Sequence, residues 1–278
     1  MTLLEIDGLD IDFGRRRVPA VRDLSLRLEA GGRLGIIGES GSGKTVTALA
    51  VMGLLPENAH VRGSIRWQGT ELLGLPERDL AALRGNAMSI VFQEPMTALD
   101  PTMRVGRQVA EAYLLHRGEA TTPARERVLA MLAEVGLDDP ERVADGYPHQ
   151  LSGGQRQRVV MAMALVNSPD LVICDEPTTA LDVTVQARVL ATLDRVLDAE
   201  RAACLFISHD LAVVSQVCEQ VVVMLEGRIV EAGPVSELFG DPRHPYTAGL
   251  VATARLDLVE PGSRLPTVED FYAERGTP

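Results

Sequence analysis

The sequence predicts an α/β fold with a largely parallel sheet, and three observations carry this prediction. Short apolar runs that suit buried strands, at residues 34–37, 88–92, 171–174 and 204–207, alternate with helical stretches. A glycine-rich segment joins the first of these strands to a helix. The chain between residues 95 and 166 is mostly helical, which indicates a helical subdomain inserted into a mixed-sheet core.

The N-terminal forty residues alternate apolar and polar side chains as β strands do, and they predict an antiparallel β part. Its apolar members are Ile6, Ile11, Phe13, Leu24, Leu26 and Leu28. After the glycine-rich segment, a helix is predicted over 45–55, stopped before Pro56. A hairpin around Ile65 and Trp67 and a short helix after Pro76 complete the segment that precedes the strand at 88–92.

Helices and a closing hairpin account for most of the remaining chain. The helices are predicted at 105–115, 124–135, 155–166, 183–199 and 211–218, and the hairpin at 221–225 and 228–230. We therefore expect one domain over residues 1–252, with the helical subdomain at about 95–166. The segment 253–278, rich in proline, glycine and charge, is expected to be a loosely ordered tail.

Composition narrows the class of protein. The 278 residues include 27 Lys+Arg against 39 Asp+Glu, and the net charge of −12 argues against nucleic-acid binding through the overall field. Three scattered cysteines form neither a disulfide framework nor a zinc pattern. The N-terminus lacks the pattern of a signal peptide and no run is long enough to span a membrane, so we expect a cytoplasmic protein.

One segment matches the phosphate-loop pattern G-x-x-x-x-G-K-[ST], after a buried strand and at the start of a helix. Glycines let backbone amides point at phosphate oxygens, and the helix adds its positive end. Lys44, the only lysine of the chain, would reach the β- and γ-phosphates, and the Thr45 hydroxyl can ligate Mg²⁺. The alternative is a chance Gly/Ser-rich turn. The predicted nucleotide-binding residues are Gly38, Glu39, Ser40, Gly41, Ser42, Gly43, Lys44 and Thr45.

Two acids follow the apolar strand at 171–174. Asp175 is placed to hold Mg²⁺ through water. An acidic residue in this position is the usual second part of the site in such nucleoside triphosphatases. Glu176 can polarise an attacking water as a general base. A solvated acid pair at the end of a strand is the alternative interpretation.

A second surface for phosphate is predicted at the start of the helix near residue 155. Ser152 and the two glycines after it offer a hydroxyl, bare backbone amides and a positive helix end to an anion. The segment Leu151, Ser152, Gly153, Gly154 and Gln155 resembles the signature of the ATP-binding cassette (ABC) ATPases. The resemblance implies that this surface meets ATP held by another subunit, so that two nucleotide domains act as a pair.

The same resemblance implies roles for four further residues. Gln93 is similar to the glutamine that contacts Mg²⁺ and the attacking water, and Asp182 to the acid that contacts the partner across the dimer. His209 resembles the histidine that hydrogen-bonds the γ-phosphate, although a strand-end histidine alone is more often structural. Phe13 resembles the aromatic residue on which adenine stacks, and its alternative is a core residue of a strand.

Longer motifs resemble the dipeptide, oligopeptide and nickel importers within the ABC ATPases. They lie at residues 92–101, 147–150, 176–186 and 244–247, and the resemblance runs from about Leu3 to Ala252. It implies an ATPase that drives uptake of peptides or a small solute such as nickel, with ATP and Mg²⁺ as ligands. No cysteine follows Cys218, so the iron–sulfur cluster that some members hold there is not expected.

The resemblance also implies partners and a location. They are a second ABC ATPase subunit, with a heterodimer favoured over a homodimer, two membrane permease subunits and an extracytoplasmic solute-binding protein, and the location is the cytoplasmic face of the membrane. An ABC exporter and a soluble ABC ATPase with a non-transport partner are the alternatives. Small GTPases and P-loop kinases are disfavoured because neither needs the segment 151–155.

Overall fold

The computed structural model describes residues 1–92, 95–117, 121–179, 181–254 and 271. These residues form two compact units. The helical unit comprises residues 1, 29–32 and 74–205, and the loop unit comprises residues 2–28, 33–73 and those from 206 onward. The strands are β1 Thr2–Phe13, β2 Val18–Glu29, β3 Arg33–Ile37, β4 Ala59–Trp67, β5 Thr70–Glu71, β6 Met88–Val91, β7 Leu171–Asp175, β8 Ala203–Ser208, β9 Gln220–Leu225 and β10 Arg228–Pro234.

The helices fall mainly between residues 77 and 200. They are α1 Lys44–Val51, α2 Glu77–Leu83, α3 Pro95–Ala98, α4 Val105–Arg117, α5 Thr121–Glu134, α6 Pro140–Asp145, α7 Gly153–Leu165, α8 Val183–Glu200, α9 Leu211–Val217, α10 Val235–Gly240 and α11 Pro245–Ala254. A short 3₁₀ turn, Pro148–Gln150, precedes α7. Among the described residues, none of these helices has both the length and the apolar character that crossing a membrane requires.

The N-terminal β part is an antiparallel sheet of order β2-β1-β4-β5, as predicted. Leu4 pairs with Trp67 and Ile6 with Ile65, and all four side chains are buried. The alternating apolar side chains of β2 lie on one buried face, while the residues between them are exposed. The period of two in the sequence therefore reports a sheet with one face toward the core.

A second sheet has the order β10-β9-β3-β8-β7-β6. β3 pairs with β9, and β6 with β7, in parallel, whereas β10 pairs with β9 antiparallel. Every residue of β7 and β8 is buried, which is why these strands read as continuous apolar runs. The predicted α/β class with a mixed sheet is confirmed.

In two places the helices of the structure differ from those that the sequence predicts. The helix predicted over 45–55 ends at Val51, because Gly53 adopts φ +61°. The Leu54 amide donates to the Leu49 carbonyl oxygen and the Gly53 amide to that of Ala50, which is a Schellman motif. Helix α6 was not predicted, although Asp139 caps it and Pro140 is its first residue.

The C-terminal part of the loop unit holds two helices that were also not predicted, α10 and α11. Helix α11 continues to Ala254, two residues into the segment expected to be a tail. Most of that segment, 255–270 and 272–278, lies outside the described residues. The boundaries of the helical subdomain at about 95–166 stay a prediction, since the two compact units divide the chain at other positions.

Candidate nucleotide site

The predicted phosphate loop lies between the buried strand β3 and helix α1, whose first residue is Lys44. Two of its glycines leave no room for a side chain. A Cβ at Gly38 would lie 2.2 Å from the Met224 carbonyl oxygen, and one at Gly43 would lie 2.6 Å from the Ala20 carbonyl oxygen. Both residues also have positive φ, +155° and +102°, so glycine is required at each by backbone and by space.

The ammonium group of Lys44 is held inside this loop. Its side chain is buried, and Nζ donates hydrogen bonds to the carbonyl oxygens of Gly38 at 2.7 Å and Glu39 at 2.8 Å. The Ser42 amide donates to the same Glu39 carbonyl. The loop is therefore closed on itself, with the lysine as its central donor.

The other side chains of the loop divide into exposed and buried ones. Glu39, Ser40 and Thr45 are exposed, so a ligand can reach them. The Ser42 hydroxyl is buried and, among the described residues, has no hydrogen-bond partner. A buried hydroxyl without a partner is costly, and a phosphate oxygen would satisfy it.

The predicted acidic pair lies at the end of β7, in the helical unit. Asp175 is the last residue of the strand and is buried, with 5% of its surface exposed. Glu176 has φ +49°, an uncommon conformation for a residue with a side chain. The Thr179 hydroxyl donates to its Oε2 at 3.0 Å. The structure thus orients the carboxylate of Glu176 through a neighbouring side chain.

The predicted signature segment is a capped helix start. Ser152 is the N-cap of α7: its Oγ accepts from the Gln155 amide at 3.3 Å, and Gln155 Oε1 accepts from the Ser152 amide at 2.9 Å. Ser152 and Gly153 are exposed, whereas Leu151 and Gly154 are buried. The exposed helix start can offer backbone amides and the Ser152 hydroxyl hydrogen to an anion.

Helix α8 begins beside this segment. Asp182 is its N-cap, and the carboxylate accepts from the Val185 amide at 3.0 Å. A Cβ at Gly154 would lie 2.4 Å from Val185 Cγ1, so α7 and α8 approach each other closely here. The structure therefore brings the signature and the start of α8 together, and Asp182 has a capping role that the sequence analysis missed.

The remaining predicted residues are placed as follows. His209 is exposed, directly after β8, and lines a cavity of about 280 Å³ in the loop unit. Phe13 is the last residue of β1 and is partly exposed. Gln93 lies outside the described residues. Within the described residues, no group of three or more His, Cys, Asp or Glu side chains is placed to hold a metal ion.

One residue of this site was not predicted as functional. The buried Tyr246, on α11, accepts a hydrogen bond from the Glu39 amide at 2.9 Å through its hydroxyl oxygen. Burial raises the pKa of this phenol to about 12, so the hydroxyl stays protonated at neutral pH. The only signal in the sequence was the motif at 244–247, which carried a resemblance and no derived chemistry.

A glycine-rich loop with a buried lysine, a strand that ends in buried acid and a capped glycine-rich helix start define a P-loop nucleotide-binding domain of the cassette type. The family model described as "ABC transporter" matches residues 21–179, more than half of the chain. The chain therefore belongs to the ABC transporter family.

Individual relatives agree with this assignment. The chain is 49% identical over 267 residues to the oligopeptide transport ATP-binding proteins OppD of Mycobacterium bovis and Mycobacterium tuberculosis, which covers 95% of this chain and 44% of theirs. It thus spans less than half of their length. The OppD of Salmonella typhimurium is 47% identical over 258 residues, 92% of this chain and 77% of that protein.

Among solved structures, cbiO1 from Clostridium perfringens, part of the ABC transporter complex cbiONQ, has a similar fold. Its TM-score is 0.75 at 26% identity, and the match covers 86% of this chain and 91% of that one.

Proposed function

We propose that this chain is the ATP-hydrolysing subunit of an ABC importer that energises the uptake of peptides. The observation that carries the proposal is the phosphate loop, which is closed around the buried Lys44 ammonium and contains the Ser42 hydroxyl, a group without a hydrogen-bond partner in the part of the chain that the structure describes. The names of the relatives, oligopeptide transport ATP-binding proteins, support peptides as the cargo. Within the same subfamily, the alternative cargo is a related small solute such as nickel.

The proposed chemistry divides between two half-sites. The loop 38–45 binds the triphosphate, and Glu176 takes the proton of the attacking water. A general base of this kind contributes roughly 10²- to 10⁴-fold in rate. His209 hydrogen-bonds the γ-phosphate, Gln93 contacts Mg²⁺ and the attacking water, and Phe13 stacks on adenine. The signature of a second ABC ATPase completes the site in trans, while residues 151–155 and Asp182 of this chain complete the partner's site.

Mg²⁺ fits the residues proposed to hold it. The Thr45 hydroxyl and the Asp175 carboxylate, with the Gln93 amide oxygen, are the hard oxygen donors that this ion prefers. Bound there, it would neutralise charge on the phosphates and stabilise the developing charge of hydrolysis. This chain's part is to hold Asp175 at the buried end of β7 and Thr45 at the exposed start of α1.

The proposed partners are a second ABC ATPase, with a heterodimer favoured, two permease subunits in the membrane and an extracytoplasmic solute-binding protein. The chain would then act at the cytoplasmic face of the membrane as a peripheral subunit. ATP shared between two cassettes would close the pair. Driving such a closure from about 1:99 to 99:1 needs roughly 5.5 kcal/mol of differential affinity, which two triphosphates can supply.

Affinity purification of the tagged chain from detergent-solubilised membranes tests this assignment. We expect multispanning subunits and a second ABC ATPase to be recovered in stoichiometric amounts. A matched preparation from the cytosol, without the membrane fraction, should lack the multispanning subunits. Recovery with ribosomes or DNA, and without any multispanning subunit, would contradict the importer and favour a non-transport ATPase.

A further inference from the structure

Tyr246 contacts the phosphate loop from a distant part of the chain. It lies in α11, is 2% exposed, and its Oη accepts the Glu39 amide hydrogen at an N–O distance of 2.9 Å across 207 residues of sequence. The contact is to the backbone of Glu39, whose side chain is exposed. A helix near the end of the described chain therefore holds the main chain of the loop directly.

This contact acts on the same peptide unit that holds Lys44. The Glu39 N–H and the Gly38 C=O belong to one planar peptide group, so fixing the direction of one fixes the direction of the other. The Gly38 carbonyl accepts from Lys44 Nζ at 2.7 Å. The hydroxyl of Tyr246, the peptide and the ammonium thus form one chain of hydrogen bonds, in which each bond polarises the next.

The start of helix α11, where Tyr246 lies, is itself held by hydrogen bonds. The Glu231 carboxylate, on β10, accepts from the amides of Arg243 at 2.9 Å and His244 at 3.0 Å. His244 Nδ1 then accepts from the Tyr246 amide at 3.2 Å. These bonds connect the strand β10 to the first turn of α11, so the position of the Tyr246 ring is set by the sheet.

The same helix also lines a cavity together with the predicted γ-phosphate histidine. Leu250, Thr253 and Ala254 of α11 line the same cavity of about 280 Å³ as His209. Tyr246 and Leu250 are four residues apart and lie on one helix face. Helix α11 therefore contacts the loop that would bind the β-phosphate and shares a cavity with His209.

We propose that Tyr246 is a positioning residue for nucleotide binding, which orients the Gly38–Glu39 peptide and so places the Lys44 ammonium before ATP arrives. This inference rests on the proposed function of the loop as an ATP site. A preformed loop loses less conformational freedom when the ligand binds, and the gain applies equally to the ground state and the transition state. Its loss should therefore raise KM and leave kcat unchanged.

The substitution Tyr246→Phe removes the acceptor and keeps the ring. We expect the dissociation constant of the full chain for Mg·ATP, measured by titration calorimetry, to rise roughly two- to tenfold, the range that one hydrogen bond supplies. In the assembled transporter the KM for ATP should rise by the same factor, with kcat within twofold of wild type. Tyr113→Phe, the same chemical change on α4, is the control and should leave both constants unchanged.

The outcomes separate the inference from the function on which it rests. Wild-type affinity in Tyr246→Phe, or an equal loss in Tyr113→Phe, would overturn the inference alone. A wild-type chain that binds no ATP would contradict the proposed function as well. If Tyr246→Phe does not fold, hydrogen exchange of the wild-type Glu39 amide decides: protection supports the inference, and exchange at the rate of a free amide overturns it.

Discussion

Lys44 combines the properties that a phosphate-binding lysine needs. Its compact ammonium fits between two carbonyl oxygens that lie 2.7 and 2.8 Å from Nζ, in a side chain only 4% exposed. It is also the only lysine among 27 basic residues, the others being arginine. A planar guanidinium on the same stem presents donors in a fixed fork and cannot replace a point charge in this space.

The substitution Lys44→Arg should therefore abolish nucleotide chemistry in a protein that still folds. We expect ATP turnover to fall at least about 100-fold, the scale on which a misplaced catalytic group acts. Circular dichroism should show the wild-type helix content. Arg78→Lys is the control, because Arg78 is strongly exposed and the change introduces a lysine on the surface. Turnover within twofold of wild type in Lys44→Arg would show that the ammonium is not required.

Glu176 carries a backbone conformation that is uncommon for a residue with a side chain. Its φ of +49° costs on the order of 1 kcal/mol, and such positions concentrate at functional sites. The adjacent Asp175 completes a regular strand and carries no such feature. At the residue scale, the uncommon backbone conformation therefore occurs at Glu176, the proposed general base, and not at Asp175, the proposed Mg²⁺ ligand.

At the scale of elements, the two signature glycines have different physical reasons. Gly154 is buried against α8, where a Cβ would meet Val185 Cγ1 at 2.4 Å. Gly153 is exposed, and its Cβ would lie 3.6 Å from Leu181 Cδ2, an ordinary contact distance. Gly154 thus allows helix packing, while Gly153 keeps the helix start open to an anion.

These reasons predict opposite effects for two neighbouring alanine substitutions. Gly154→Ala must displace α7 from α8 and should lower the free energy of unfolding by about 1–3 kcal/mol, which lowers Tm by roughly 2–10 °C. Gly153→Ala should leave Tm at or slightly above the wild-type value, because alanine favours the helix. Differential scanning calorimetry compares the two, and equal Tm values would refute this division of roles.

The boundaries of elements show where local sequence signals compete. The interpretation that Pro56 stops the first helix overlooked Gly53, whose left-handed conformation ends the helix at Val51, four residues before the predicted end. Asp139 and Pro140 together carry the signal of a helix start, yet α6 is only six residues long and lacks a clear apolar period. Short helices of this kind are thus recognised by their capping residues and not by a hydrophobic periodicity.

At the scale of the whole molecule, the sequence predicted the fold class and the local setting of three of the motifs. Strand, loop and helix around residues 38–45, the acid at the end of β7 and the capped start of α7 all lie where the motifs indicate. Each of these depends on residues within about ten positions of one another. Patterns of that range are visible in a single sequence.

Contacts between distant segments could not be predicted. The bond between the Glu39 amide and Tyr246 joins residues 207 positions apart and involves only the main chain of one partner. No side-chain pattern marks position 39 for this purpose. The close approach of Gly154 to Val185 similarly depends on how two helices pack, which neither helix shows alone.

We propose that ATP hydrolysis at Glu176 of this chain drives peptide uptake. The most direct test of this proposal measures ATP-driven accumulation of a labelled peptide in proteoliposomes that contain the purified transporter, with the wild-type chain or with Glu176→Gln. We predict accumulation with the wild type and, with the variant, background uptake and turnover lowered about 100-fold or more, at an unchanged affinity for ATP. Uptake by Glu176→Gln within a factor of two of wild type would contradict the account.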